Sequence, residues 1–206
     1  MTGQQDRSHV LKILNSYKIN KEVIYGLEMS GVDLAYTDLS EVMGDCIQAV
    51  RVNLRASSLI GASFLDCDFE ETDFSNSNLE KIDMGDCVLN GANLYKAFLK
   101  GAKINISMCR GTCFDEVDFS GGEVIGSSFS NSSFSNSSFK NANLSRINAQ
   151  QASFSSANLT GATLKEGNFK EADFRNTILD GVVWTGALID GAIFDEGVME
   201  IVKSKL

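Results

Sequence analysis

From Ile24 to Met199 an apolar residue stands at every fifth position. Stepping outward from Phe69, the series runs through Phe74, Leu79, Met84 and Leu89 in one direction and Phe64, Leu59 and Leu54 in the other. It never slips, and Gly44 is its one member without an apolar side chain. All of the 13 Phe except Phe98 lie on it. Two positions before each of these centres runs a second series of small residues, among them Ala62, Cys67, Thr72, Ser77, Ala92 and Ala97. Larger residues enter it at Glu22 and Leu27 and, as Val or Ile, at several other places. The remaining positions of each unit are mostly Asp, Asn, Ser, Lys, Glu and Gly. A period of five fits neither a helix nor a strand. The chain must instead turn once per unit with its centre inward, so that four units close a square and squares stack. Only the ends depart from this pattern. Val10, Leu11, Leu14 and Tyr17, with Ile13 beside them, form an apolar helical stripe after Ser8, which predicts a short helix with Ser8 as its N-cap. At the other end Val198-Met199-Glu200-Ile201-Val202 predicts a turn of helix closing the last coil.

This period resembles the pentapeptide-repeat family over residues 22–201, in units such as Ala92-Asn93-Leu94-Tyr95-Lys96 and Ala172-Asp173-Phe174-Arg175-Asn176. The resemblance implies an all-β solenoid, a right-handed quadrilateral β-helix with a short N-terminal capping α-helix. About nine coils make a rod about 43 Å long at the usual strand spacing. The expected organisation is a capping segment at 1–21, the β-helix at 22–201 and a tail at 202–206. In the family the centre and the small residue before it fill the core. Here that assigns Phe64, Phe69, Phe74, Phe114, Phe119, Phe129, Phe134, Phe139, Phe154, Phe174 and Trp184 to the interior. Centres twenty residues apart should stack, so Phe134 is expected between Phe114 and Phe154, with Ser133 facing outward. Gly44 and Ala49 make the coil at 42–61 thin, which predicts a weak patch of core or a local bulge.

Composition narrows the chemistry. The chain has 1 His, His9, within the expected capping helix, so schemes needing a His pair or several His ligands are excluded. No phosphate-binding glycine motif and no zinc-protease motif occurs, and no residue stands out as a nucleophile. No catalytic residue, metal site or cofactor is expected. The 5 Cys fit no disulfide framework and are read as thiols. Cys67 and Cys87 should stack in one small-residue column, Cys109 is a centre, and Cys46 and Cys113 should face outward. Met1-Thr-Gly-Gln-Gln5 coincides with part of an epitope tag, and the final Ser-Lys-Leu with a peroxisomal address, which is read as coincidence. No apolar run is long enough to span a membrane and no export signal stands out, so a cytoplasmic location is expected.

The net charge of -9 opposes direct binding to nucleic acid and leaves an acidic surface for a basic partner. Acid gathers in residues 22–41, 62–81 and 182–201, whereas 122–161 hold Glu123 against Lys140 and Arg146. The first expectation is a non-enzymatic scaffold or interaction rod with an unidentified protein partner and no membrane contact. Asp66, Asp68, Glu70, Glu71 and Asp73 are its candidate partner-contact residues. The alternative implied by the family is a DNA-mimicking modulator or protector of a type II topoisomerase, DNA gyrase, as in its quinolone-resistance members. Those members often dimerise through an apolar C-terminal helix. This tail is short and carries Lys203 and Lys205, so a monomer is expected.

Overall fold

A computed structural model describes residues 6–206. The tag-like reading of the first five residues lies outside the described part. Helix α1 (Arg7–Asn20) leads into a parallel right-handed quadrilateral β-helix, and helix α2 (Val198–Lys203) closes the chain. The first side of the square forms continuous strands in five levels: β1 (Val23–Tyr25), β2 (Met43–Asp45), β3 (Ser63–Leu65), β4 (Asp83–Gly85) and β5 (Lys103–Asn105). They pair in that order, each residue with the one twenty further on, and single bridges extend the column through Glu123, Asn143 and Thr163 to Val183.

The end of the solenoid differs from the expected nine closed coils. Bridges on the first three sides reach Val183, Leu188 and Ile193, but on the fourth they stop at Ile178. Eight levels are therefore complete and the ninth has three sides. The cause is local. A residue of positive φ turns the chain at every fifth position from Lys21 to Gly191, and the next such residue is Gly197, one place late. The chain then enters α2, which puts Val202 into the core. The repeat thus ends before Gly197. The residues expected to form its last side and the start of the tail make one helix instead.

Each side makes the same bonds. In the third column Leu34 N–H donates to Asn53 O one level up, and Asn53 N–H donates down to Val32 O. At the corner Tyr36 N–H donates to Arg55 O. Polar residues in the small series are satisfied by entering the turn below them. The Ser132 hydroxyl donates to Cys109 O and accepts from Thr112 N–H, and Ser57, Ser127 and Ser137 do the same one level above Thr37, Ser107 and Val117. A buried hydroxyl here completes backbone bonding at little desolvation cost.

The core is a set of vertical stacks. Phe114, Phe134, Phe154, Phe174 and Phe194 lie face to face with centroids 5.2, 4.7, 5.0 and 5.0 Å apart. Phe64, Phe69, Phe74, Phe119, Phe129, Phe139 and Trp184 are buried with them. The coil at 42–61 is neither thin nor bulged. A Cβ on Gly44 would collide with Ile47 Cδ1 and lie 2.9 Å from Phe64 Cδ1, so larger neighbours occupy the space the glycine leaves. Pairing continues through it on both sides.

Helix α1 starts earlier than predicted: Asp6 is the N-cap residue and Ser8 lies inside. It buries Val10 and Leu14 against the first coil, with Leu11, Ile13 and Tyr17 half-covered. It also occupies carbonyls that the first level cannot pair. Arg7 donates to Asp33 O (2.7 Å) and Ala35 O (3.0 Å), and Lys18 reaches Asp38 O (3.4 Å). An open edge is an aggregation hazard, and these contacts cover part of it.

The stacking gives a direct stability contrast. Replacing Phe134 with Ala should cost about 3–5 kcal/mol in chemical denaturation, the usual large-to-small penalty. Ser133 faces outward but is half-buried and donates to the Asp115 carboxylate, so its change to Ala should cost about 1 kcal/mol. Equal losses would mean the inward phase is misassigned. The cap carries a pH dependence as well. The hydroxyl and amide of Ser40, with Lys18, lower the Asp38 carboxyl to about 2. A depressed acid stabilises the fold above its unfolded value of about 3.9 and ceases to do so as pH falls through the folded one. Protection of the amides in the last turn of α1, relative to their intrinsic exchange rates, should therefore fall as pH drops through those values, and Asp38→Asn should flatten the response.

Candidate functional site

The position just before each centre decides which acids are available to a partner. Its side chain points outward, yet its carboxylate or amide oxygen accepts the backbone N–H two residues on, bracing the turn. Asp33, Asp38, Asp118 and Asp173 do this, and so do Asn53, Asn78, Asn143 and Asn158. Asp and Asn serve alike there, so an Asp at that position is first a structural acceptor.

This divides the predicted contact residues. Asp68 accepts from Glu70 N–H (2.9 Å), and Asp73 accepts from Ser75 N–H (2.9 Å) and the Asn93 amide (3.1 Å). Glu71 is paired with Arg51 one level below at 2.6 Å, which holds its carboxyl below the usual range. Asp66 and Glu70 remain exposed, with no cation within ion-pair distance among the described residues. The five also lie on three different sides of the square: Asp66 closes the first, Asp68 to Glu71 make the second, and Asp73 begins the third.

Around Asp66 the structure assembles a different set. Twenty residues either way stand Cys46 and Asp86, and beside Cys46 is Asp45. Over its first four levels the first side carries Glu22, Asp45, Asp66, Asp83 and Asp86 and no Lys or Arg; Lys103, on the fifth, is its first cation. Tyr25 and Leu65 stand exposed among these acids, at 74% and 46%. Asp45 and Asp66 push the phenol of Tyr25 up, after the hydrogen bond it shares with Cys46, and a hydrogen bond to Asp45 pushes the Cys46 thiol up. The stacking of outward positions twenty residues apart is the sequence signal that picks out Tyr25, Asp45, Asp83 and Asp86.

Asp45, Cys46 and Asp66 bring ligand atoms within 4.8 Å of one another. Three donors on a water-facing corner fall short of the four enclosing ligands of a structural zinc site. His9 is exposed on α1, with no acid or nucleophile bonded to it among the described residues. All five cysteines are free: Cys67, Cys87 and Cys109 are buried, Cys46 and Cys113 half-buried. Cys67 takes part in backbone bonding by accepting from Ile47 N–H (3.3 Å). Cys87 contacts Cys67 on the level below, and that contact together with burial pushes its thiol well up; burial alone does the same to Cys109. No described helix is long and apolar enough to cross a membrane.

Two family patterns match the chain. The one described as "Pentapeptide repeat region" covers residues 127–203, and the one described as "Pentapeptide repeats (8 copies)" covers 50–86, 67–105 and 82–121. Among curated proteins none matches. Solved structures share the fold. A trypsin-treated, singly substituted form of QnrB1, a plasmid-mediated fluoroquinolone resistance protein, aligns with TM-score 0.66 and 17% identity, covering 87% of this chain and 96% of its own. A second trypsin-treated form of the same protein, with a different substitution, gives 0.58 and 17%, covering 88% and 96%. HetL, a pentapeptide repeat protein involved in heterocyst differentiation regulation from Nostoc sp. Strain PCC 7120, gives 0.40 and 18%, covering 94% and 98%.

Thiol reactivity gives a direct check on these placements. Native protein treated with a maleimide should be modified at Cys46 and Cys113 first, and both reactions should quicken above neutral pH because both thiols are raised. Modification of Cys109 ahead of Cys113, followed by mass spectrometry, would contradict the inward assignment.

Proposed function

We propose that this chain, which belongs to the pentapeptide-repeat family, acts as a non-enzymatic rod whose first side holds a basic protein partner. The observation that carries the reading is the run of Glu22, Asp45, Asp66, Asp83 and Asp86 without a cation, on paired levels whose spacing the backbone fixes. Tyr25 and Leu65 add apolar contact area between the charges. Carboxylates held on a rigid ladder lose little freedom on binding, which is what preorganisation contributes to affinity. Pentapeptide-repeat proteins are typically non-catalytic interaction proteins, in keeping with the exposed His9 and the thiols that lack a base.

Mimicry of duplex DNA along the whole rod is the competing reading. It requires carboxylates at intervals over the full length, opposite the cations of a groove. Residues 122–161 supply Glu123 against Lys140 and Arg146, so a groove over those two levels would leave its cations poorly paired. A partner confined to the N-terminal levels avoids that penalty.

Titration with decalysine, followed by amide NMR, should shift resonances on the first side around Tyr25, Asp45, Asp66 and Asp86. Asp66→Lys with Asp86→Lys should weaken binding about tenfold or more, whereas Asp68→Asn should leave it unchanged. Shifts spread evenly over the rod would overturn the reading. In a DNA gyrase supercoiling assay, micromolar protein should neither inhibit the enzyme nor protect it from a quinolone. Potent inhibition abolished by those two charge reversals would favour the competing reading.

A further inference from the structure

The missing fourth side of the ninth level leaves the fourth side below it with an open edge, as the three sides of the ninth level have above them. On the levels below, Phe139 N–H donates to Asn158 O and Asn141 N–H to Thr160 O, then Leu159 N–H to Ile178 O and Gly161 N–H to Asp180 O. One level higher the same two donors, Leu179 N–H and Gly181 N–H, have no partner among the described residues. The Thr177 carbonyl likewise accepts nothing among them, although Ala157 O below it takes Ile178 N–H. Leu179 is half-exposed where Leu159 and Phe139 beneath it are buried. The chain's own next residues do not fill the place, because Gly197 turns them into α2 and Val202 is drawn into the core.

The last turn of the rod carries aliphatic residues where the turn below carries polar ones. The position before each centre reads Asn158, Thr163, Asn168 and Asp173 on one turn and Ile178, Val183, Leu188 and Ile193 on the next. Those four aliphatic side chains are exposed by 44–50%; Ile178 lies on the side beneath the missing one, the others on the remaining three sides. Both ends of the gap are acidic. Glu196 stands where the third side would turn into it, and Asp180 lies on the side beneath it; neither has a cation within ion-pair distance among the described residues. From 177 to the C-terminus the chain carries Asp180, Asp190, Asp195, Glu196 and Glu200 against Lys203 and Lys205.

We infer that this gap is a docking slot for one extended, basic segment of a protein partner, which adds to the ladder parallel to residues 177–181. Two donors and one acceptor at the ladder's own spacing ask for a single parallel strand, the geometry of strand addition to an open edge. Leu179, with Ile178 beside it, asks for an apolar residue between polar ones, and Asp180 with Glu196 ask for lysine or arginine at its flanks. A second copy of this end would set acid against acid, which opposes self-association. The inference goes beyond the first-side reading, since slot and first-side acids lie at opposite ends of the rod and answer to different residues.

The test uses the full chain, labelled for NMR, and a blocked lysine–alanine–lysine–leucine–lysine–glycine–lysine peptide at millimolar concentration. Amide exchange of Leu179 and Gly181 should slow at least about tenfold, the mark of new hydrogen bonds at an edge. The same peptide with glutamate for lysine should give no protection, and Asp180→Lys with Glu196→Lys should abolish the effect of the lysine peptide while leaving the shifts around Asp66 in place. The inference is overturned if the two amides are already protected in the free chain, which would mean that residues 197–201 fill the slot themselves. Protection that grows with protein concentration in the absence of peptide would overturn it in favour of a second copy. Peptide-induced change at the first side alone would overturn the slot and leave the first-side reading standing.

Discussion

Each corner of this solenoid is made by one residue with φ between 51 and 73°, and at every corner from Gly26 to Glu171 its own N–H is bonded to the level above. Left-handed backbone costs an L-residue about 1–2 kcal/mol, so corners favour glycine and asparagine. Here Gly, Asn and Asp fill many of them, but Tyr36, Glu41, Arg51 and even the β-branched Ile106 also take the conformation. What holds them is the ladder: Ile106 N–H donates to Ile125 O at 2.9 Å, as the Gly31 and Asp66 amides do to Val50 O and Gly85 O. The pairing requires the corner, and the corner sends the next centre inward. When the corner comes one residue late, at Gly197, both the pairing and the inward phase stop together.

Fixed corners leave side chains little freedom to choose a face. Centres stack on centres, which gives the face-to-face phenylalanine column and lets Gly44 be matched by Phe64 and Ile47. The outward positions stack as strictly, so charge on this surface is organised in columns rather than along the chain. That is why acids far apart in sequence, Asp45, Asp66 and Asp86, form one ridge, while neighbours such as Glu70 and Asp73 sit on different sides. Rigidity and column order are the properties that a docking surface can use.

The period of five is enough to read the architecture, the inward residues and the covering helix. It carries less about the surface. Asp68 and Asp73 look like surface charge in a linear count, but each closes a hydrogen bond to the amide two residues on, a role Asn fills elsewhere at the same position of the unit. Glu71 looks free in the same count, and Arg51 stands beside it through stacking and not through adjacency. The end of the repeat is hidden for another reason. Gly197-Val198-Met199-Glu200-Ile201 obeys the pattern of small residue and apolar centre, so periodicity alone continues through it. The competing preference, a helix anchored by Val202, lies outside the repeat unit. Residue type points to Ser8 as the cap of α1, whereas the helix begins at Arg7 and is capped by Asp6, whose extended backbone starts it without a side-chain bond.

The fold is held by the register of corners and centres rather than by any one coil. Deletion of residues 122–141 removes one whole level and rejoins every column in phase, whereas deletion of residues 122–139 leaves all later centres out of phase. Thermal unfolding followed by circular dichroism compares the two with the parent. The first deletion should unfold cooperatively with a spectrum like the parent's and a modestly lower midpoint, and the second should lose cooperative unfolding. Equal behaviour of the two deletions would contradict the account.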